Sequence, residues 1–336
     1  MRRGVSSCDD GQDLSCLLFL HIPKTAGTSF RLGAVQLLGA ERCQLDYGRR
    51  SPDTTELVRN HVYEDPDLFR FGVELERAGS RILSGHFDRR KYGALFRSTR
   101  ILSFCRDPRQ QLMSHYAHFV RVNGYAGTLE EFLASDDGGG RQTRAFGSAP
   151  LEVFGFIGVT ERYQESLRVI RKTFGLDIEP MVQNTNPDRH DSGEYKIPEE
   201  VAGAYAAAVE KDSAIYARAN HLLDQRLAAL DAGYTFVHGA IQASNHSAIR
   251  GFAFDGSPQP VVVELTINGK RVASCKAVGD RPGLGALGTP RKGYIGFDFH
   301  KHNLLKTGDE AVVTVASSGQ VLGRHVMERT QENVRR

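Results

Sequence analysis

The stretch LLFLHIPKTAGTSFR, residues Leu17 to Arg31, passes from an apolar, strand-like run into a polar turn and then toward a helix. The turn carries one lysine, one glycine and three hydroxyls, the ingredients of an anion pocket. Backbone N–H groups at a helix N-terminus, aided by the helix dipole, favour a negative group, and Thr25, Thr28, Ser29 and the Lys24 ammonium would add donors and charge. A nucleoside-triphosphate loop of the GxxxxGK[ST] kind places its lysine late and its hydroxyl on Mg²⁺. Here Lys24 precedes Gly27, so that reading fits poorly.

A second segment, RILSFCRDPRQQLMSHY from Arg100 to Tyr116, has the same strand-to-helix form. A strand over Ile101–Cys105 ends at Arg106-Asp107-Pro108, and Pro108 suits a first helical turn. Leu112, Met113, Tyr116 and Phe119 then mark an apolar helical face. Arg106 falls at the strand end and Ser114 on the helix behind it. Taken alone, each turn also reads as an ordinary connection, with Arg106 paired to Asp107 and Ser114 a plain helix residue.

Together the two motifs resemble those of sulfotransferases that use 3′-phosphoadenosine 5′-phosphosulfate (PAPS). The likeness is to the branch holding heparan-sulfate 2-O-sulfotransferases and bacterial carbohydrate sulfotransferases. HIPKTAGTSF is similar to the 5′-phosphosulfate loop of that family, commonly IPKTGGTS, with Ala26 in place of a glycine. An alanine is tolerated there if its φ is negative. The second segment resembles the 3′-phosphate motif RDPxxRxxSxY, with Gln111 where the motif has its second arginine. The resemblance implies that Lys24, Thr25, Ala26, Gly27, Thr28, Ser29, Arg106 and Ser114 hold the donor, with PAP as product.

His86 is the candidate base. It follows a strand-like Ile82-Leu83-Ser84 and Gly85, whose freedom would allow a turn presenting the imidazole at the sheet edge, and a histidine titrating near neutrality can take a hydroxyl proton. The Gly85-His86 step resembles one in the uronyl 2-O-sulfotransferase branch, where that histidine is the base. A turn-capping histidine is the plain alternative, and His21, inside the strand before Pro23, reads as a packing or loop-positioning residue. In sulfuryl transfer positioning and charge neutralisation dominate, so Lys24 also has a catalytic role, at the oxygen bridging sulfur and phosphorus. A metal is not obligatory for that chemistry, and no His/Cys/Asp spacing in the chain suggests one.

At 336 residues the chain can hold one large domain and one small one, and 43 basic against 40 acidic residues is too even to argue for a nucleic-acid or membrane surface. Five widely spaced cysteines without a CxxC pair suit a reducing compartment. The chain opens Met1-Arg2-Arg3, but Asp9, Asp10 and Asp13 precede a short, polar-punctuated run from Leu14 to Ile22. That run reads as a buried strand, not a leader or membrane span, and the expectation is a soluble, bacterial, cytoplasmic enzyme.

Strand-like segments at Cys16–Ile22, Arg81–Ser84, Ile101–Cys105 and Phe156–Val159 alternate with helical patterns near Thr28–Leu38, Thr54–Ala78, Arg89–Phe96, Pro108–Val120 and Glu161–Phe174. The alternation predicts an α/β fold, P-loop-like and three-layered around a central parallel sheet, with ligands at the carboxyl ends of its strands. Thr128 with Glu131 forms a capping box, and Thr160 is placed to cap the helix after Val159. Gly138 to Arg144 reads as a flexible basic stretch in which Arg141 and Arg144 are candidate acceptor contacts, though a solvated loop explains it equally. The Thr160-Glu161-Arg162 step resembles one at the edge of the family's cleft, while Asn184 to Pro187 reads as a turn. Asp212 to Ala217 resembles the family's closing helix, with Tyr216 a packing residue.

After Leu230 helical spacing stops. Short strands follow at Tyr234–Gln242, Ile249–Phe254, Gln259–Ile267, Lys270–Ala277, Tyr294–Phe299 and Ala311–Ala316, with Asn268-Gly269 as a two-residue hairpin turn. The division expected is a sulfotransferase domain over residues 1–230, an all-β sandwich over 234–326 and a polar tail over 327–336. The sandwich resembles β domains appended to bacterial glycan-modifying transferases; glycan binding, subunit pairing and scaffolding are all open to it. The reading is a PAPS-dependent transferase of sulfuryl groups to a carbohydrate hydroxyl. Sulfation of a protein tyrosine or small metabolite is the alternative, and a non-catalytic glycan-binding protein that keeps the fold is a second; a kinase is a distant third.

Overall fold

A computed structural model describes residues 14–180 and 194–328, and its chain divides into two compact units after Leu223. The turn expected at Asn184 to Pro187, the extreme N-terminus with Cys8, and most of the polar tail lie outside the described residues.

The first unit is built on five parallel strands: β1 (Leu17–Leu20), β2 (Cys43–Asp46), β3 (Ile82–Gly85), β4 (Ile101–Cys105) and β5 (Phe156–Val159), in the order β2-β3-β1-β4-β5. Every residue of β1, β3, β4 and β5 is buried, as apolar runs in a sheet covered on both faces should be. The helices are α1 (Gly27–Leu38), α2 (Glu56–Val58), α3 (Leu68–Arg77), α4 (Pro108–Asn123), α5 (Leu129–Ala134), α6 (Arg141–Phe146), α7 (Tyr163–Phe174) and α8 (Ala202–Ala232). Phe19 on β1, Phe30 on α1 and Phe104 on β4 are fully buried against one another.

The caps explain several boundaries. Asp107 accepts from the N–H groups of Arg109 and Gln110 and starts α4 with Pro108 in its first turn, and the Thr128–Glu131 capping box is complete on α5. Thr160 does not cap α7: its hydroxyl donates to the Cys105 carbonyl at 2.9 Å, and the residue before that helix is Arg162. The helix expected over Thr54–Ala78 is two pieces. A π-helical turn over Arg59–Glu64 follows α2, Pro66 stops it, and Asp67 caps α3 by accepting from the Arg70 N–H at 2.9 Å. Arg89–Phe96 holds only a 3-10 turn over Arg89–Lys91. Strand β2 has no counterpart in the sequence reading.

The second unit begins inside α8 and, past that helix, is all-β among the described residues apart from a short helical turn, α9 (Pro282–Gly285), and a 3-10 turn over Pro290–Gly293. Its strands are β6 (His238–Asn245), β7 (Ala248–Phe254), β8 (Val262–Ile267), β9 (Lys270–Lys276), β10 (Gly279–Asp280), β11 (Tyr294–His300), β12 (Glu310–Val315) and β13 (Val321–Val326). They form two four-stranded antiparallel sheets, β10-β11-β7-β6 and β13-β12-β8-β9. One core that includes Ile249, Phe297, Val263, Leu265 and Val313 joins them as a sandwich. Asn268 and Gly269 both have positive φ, 52° and 74°, as a two-residue hairpin turn needs.

Candidate functional site

All five strands of the parallel sheet end on one edge, and the polar residues of interest follow those ends. Tyr47 follows β2, His86 follows β3, the loop from His21 to Ala26 follows β1, Arg106 follows β4 and Thr160 follows β5. The three central positions belong to adjacent strands, which puts His86, the loop and Arg106 side by side.

The loop is tightly wound. Lys24 and Ala26 both take left-handed conformations, φ 67° and 64°, so the negative φ that would make Ala26 comfortable is not what the turn uses. Ala26 is the residue before α1 and offers no side-chain cap, which leaves the first N–H groups of the helix to an external acceptor. Thr25 is fully buried and donates its hydroxyl to the Ile22 carbonyl at 2.8 Å. Its side chain therefore braces the loop, and only its backbone N–H is left for a ligand. Ser29 is buried and Thr28 partly so. Gly27 has to be glycine: a Cβ there would lie 2.0 Å from the His21 ring.

His21 thus packs on the start of α1, and its Nδ1 lies 2.7 Å from the Tyr47 hydroxyl. Its ring meets His86 edge-on, centroids 4.6 Å apart, and Tyr47 meets His86 at 4.7 Å. The Arg31 guanidinium sits 5.3 Å from the centre of the Tyr47 ring. Burial, then His86, Arg31 and Lys24, push His21 down to about 3. His86 is open to solvent on one side, yet the surrounding protein, then Arg141, Arg31 and His118, hold it near 4. Both imidazoles are neutral at pH 7. The Lys24 ammonium is also held below its ordinary value, by burial first and then by Arg121 and Arg106. Cations crowded together in this way are stabilised by a bound anion.

Gly85 serves His86 differently from the expectation. It does not take a positive φ; a Cβ on it would meet the Asp46 carbonyl oxygen at 1.8 Å, so glycine permits β2 and β3 to close together. That same carbonyl accepts from the His86 N–H at 3.1 Å. The Asp46 carboxylate, 1% exposed, accepts from Lys91 Nζ at 2.5 Å, Tyr63 at 2.6 Å and Tyr92 at 2.7 Å. Burial alone would raise this carboxyl; the bonds from Lys91, Tyr63 and Tyr92 outweigh it and hold Asp46 below the usual carboxylate range.

Arg106 meets the loop directly. Its Nη1 donates to the Lys24 carbonyl at 3.2 Å across 82 residues of sequence, and its Nε lies 4.0 Å from Glu161. Glu161 also accepts from the Asp107 N–H at 3.0 Å and the Tyr216 hydroxyl at 3.3 Å, so both residues tie down the turn after β4. Gln111, 2% exposed, donates to the Pro23 carbonyl at 2.9 Å. It bonds the loop from the position where the motif has an arginine. Ser114, on the same face of α4 three residues on, is buried at 8% exposure.

Arg141 and Arg144 separate. Arg141, half-buried at the start of α6 and paired with Asp137, lowers both His86 and His115, second only to burial; Arg144 is exposed. The glycines before them are not slack. A Cβ on Gly138 would lie 2.3 Å from the Leu133 carbonyl oxygen, and one on Gly139 would lie 2.4 Å from that of Ala208. The site also holds residues the motifs did not point to. Tyr47 would have been reachable had Cys43–Asp46 been read as a strand, since it then falls at a strand's carboxyl end. His115 has both ring nitrogens buried without a hydrogen-bond partner and lies against Phe119 and Phe132. Among the described residues no group of three or more His, Cys, Asp or Glu side chains could hold a metal ion.

No family model matches the chain, and no curated protein does. Among solved structures, the chain is similar to a sulfotransferase from Alicyclobacillus acidocaldarius, at 18% identity over 60% of this chain and 95% of that one, with a TM-score of 0.31. It is similar to mouse sulfotransferase SULT7A1 complexed with PAP at 14% identity, TM-score 0.31, over 51% of this chain and 62% of the mouse one. An endo-β-1,4-mannanase from Thermotoga petrophila aligns at 9% identity over 78% of this chain and 61% of that one, TM-score 0.22. The chemistry of the site is read from its own residues. Among the described residues no helix is long and apolar enough to cross a membrane.

Proposed function

We propose that the chain is a PAPS-dependent sulfotransferase acting on a carbohydrate hydroxyl. The observation that carries this reading is the bond from Arg106 to the Lys24 carbonyl, 3.2 Å long. It joins two motifs whose family counterparts hold opposite ends of one nucleotide. The donor set suits such a ligand: a helix start without a side-chain cap, the Lys24 ammonium, Ser29, Arg106 and Ser114, in a cation-rich field that an anion would relieve.

In this reading the loop N–H groups with Lys24, Thr28 and Ser29 hold the 5′ end of the donor, and Arg106 with Ser114 holds the 3′-phosphate. PAPS supplies the sulfuryl group. Lys24 neutralises charge as it develops on the leaving oxygen, and Arg106, bonded to the Lys24 carbonyl, keeps that lysine's backbone in place. His86, neutral at pH 7, takes the acceptor hydroxyl's proton; burial first and then Arg141 and Arg31 lower its basicity, and a bound anion would offset the part due to the two arginines. Arg141, next to His86 electrostatically, faces the acceptor. The carbohydrate part of the reading rests on the Gly85-His86 step at the end of β3.

The test is turnover with labelled PAPS and a panel of glycans. His86→Ala should bind PAP as the wild type does and transfer sulfate at least 100-fold more slowly, about the size of a general-base contribution. Retained turnover in that variant would remove histidine from the base role.

A further inference from the structure

The ladder that pairs β4 with β1 ends at Ser103 and the one with β5 at Cys105, so the backbone of Arg106 has no strand on either side to hold it. A side chain takes that place. Gln142, fully buried, accepts from the Arg106 N–H through Oε1 at 3.0 Å and donates through Nε2 to the Arg106 carbonyl at 2.9 Å. A primary amide carries the same donor and acceptor as a peptide group, so this one reproduces the pairing of an adjacent strand at a single residue.

Gln142 is itself seated from below. Its own N–H donates to Asp212 Oδ2 at 3.2 Å, and Thr143 donates to Asp212 Oδ1 through its N–H at 2.8 Å and its hydroxyl at 2.6 Å. Asp212 is 2% exposed on α8, and all three bonds fall on the first turn of α6. The result is a chain of contacts from α8 through α6 to the backbone of one arginine, with each polar group between them satisfied.

We propose that Gln142, seated by Asp212, is a positioning residue that aims the Arg106 guanidinium and so sets the preference for adenine nucleotides bearing a 3′-phosphate. The inference rests on the reading of Arg106 as the 3′-phosphate ligand. With its backbone clamped at both N–H and carbonyl, Arg106 approaches the phosphate already oriented, and less freedom is lost when the ligand binds. Asp212, seen in sequence only as part of a closing helix, then acts through Gln142 on a site it does not touch.

The experiment is calorimetric titration of the whole chain with PAP and, separately, with adenosine 5′-monophosphate, which lacks only the 3′-phosphate. In the wild type PAP should bind the tighter, and Arg106→Ala should bring the two affinities together. Gln142→Leu keeps the volume and loses both bonds. It should weaken PAP about tenfold, the worth of one to two hydrogen bonds, and leave adenosine monophosphate within about twofold. Gln142→Met, uncharged and similar in length, also loses both bonds, should weaken PAP selectively in the same way, and serves if the leucine variant does not fold. A Gln142 that only supports the core would lower both affinities in parallel, or neither, with the PAP preference unchanged; that result overturns this inference and leaves the donor reading standing. Equal wild-type affinity for the two nucleotides overturns the donor reading and this inference with it.

Discussion

Two non-glycine residues in the loop after β1, Lys24 and Ala26, adopt left-handed backbone, a conformation that costs a residue with a Cβ roughly 1–2 kcal/mol. Strain of this kind persists where surrounding bonds hold it, and here Arg106 bonds the Lys24 carbonyl, Gln111 bonds the Pro23 carbonyl and Thr25 bonds back to Ile22. The sulfotransferase loop that this one resembles commonly has glycine where Ala26 stands. Ala26→Gly should therefore raise stability by about 1 kcal/mol, less whatever the added freedom of the unfolded chain takes back. Urea unfolding of the two forms measures it, and a clear loss of stability would contradict the strain argument. The neighbouring position behaves oppositely: at Gly27 no side chain fits beside His21. The loop's residue types could be read from sequence as an anion cradle. Its dihedrals could not, because they are imposed by Gln111 and Arg106, more than 80 residues away.

At the scale of elements, β2 and the turn over Arg89–Lys91 show where sequence patterning stops. Cys43-Gln44-Leu45-Asp46 alternates apolar and polar over four residues only, too short a run to announce a strand, and its last residue is a buried carboxylate that a sequence reading assigns to a loop. Arg89–Phe96 looks helical from composition, but Lys91 and Tyr92 are drawn to Asp46, and the segment follows those bonds instead. The capping box on α5 and the proline start of α4 were legible because both are local. Asp46 fixes the geometry of His86 through its carbonyl, so its charge has a consequence at the site. Lys91→Met leaves that carboxylate buried with no cation, held only by the Tyr63 and Tyr92 hydroxyls and the Gly48 N–H, and should cost about 2 kcal/mol, below the full loss for a sealed ion pair because Lys91 is partly exposed. Denaturant midpoints at pH 7 would show it. A neutral result would mean that Tyr63, Tyr92 and the Gly48 N–H suffice.

Across the whole molecule the imidazoles impose a pH dependence. His21 and His115 are held near 3 and His86 near 4, all by burial first, whereas the unfolded chain takes up these protons near 6.5. Above that pH both states are neutral and stability is unaffected. Below it the unfolded state binds protons that the folded state refuses, so stability falls from about 6.5 down to about 4 for His86 and to about 3 for His21 and His115, by at most about 1.4 kcal/mol per pH unit for each fully buried histidine. His86, being exposed on one side, contributes less. Asp46 adds its own loss at lower pH, as that carboxylate is protonated. Unfolding of the first unit, followed from pH 8 to pH 4, should be flat to about pH 7 and then fall steeply; a flat acid limb would contradict the buried-imidazole account. Saturating anion should soften the fall, since a negative ligand favours the protonated rings.

The α/β layout and the later all-β region were both readable from the change in spacing near Leu230, because hydrophobic period is a property of each segment by itself. What no segment contains is the meeting of the loop with Arg106. Thermal unfolding with PAP in the absence of Mg²⁺ tests that meeting most directly. At about 100 times its dissociation constant, PAP should raise the midpoint of the first unit by about 5–10 °C, ATP should not match it, and Lys24→Ala or Arg106→Ala should remove most of the shift. Stabilisation by ATP with Mg²⁺ and none by PAP would contradict the account.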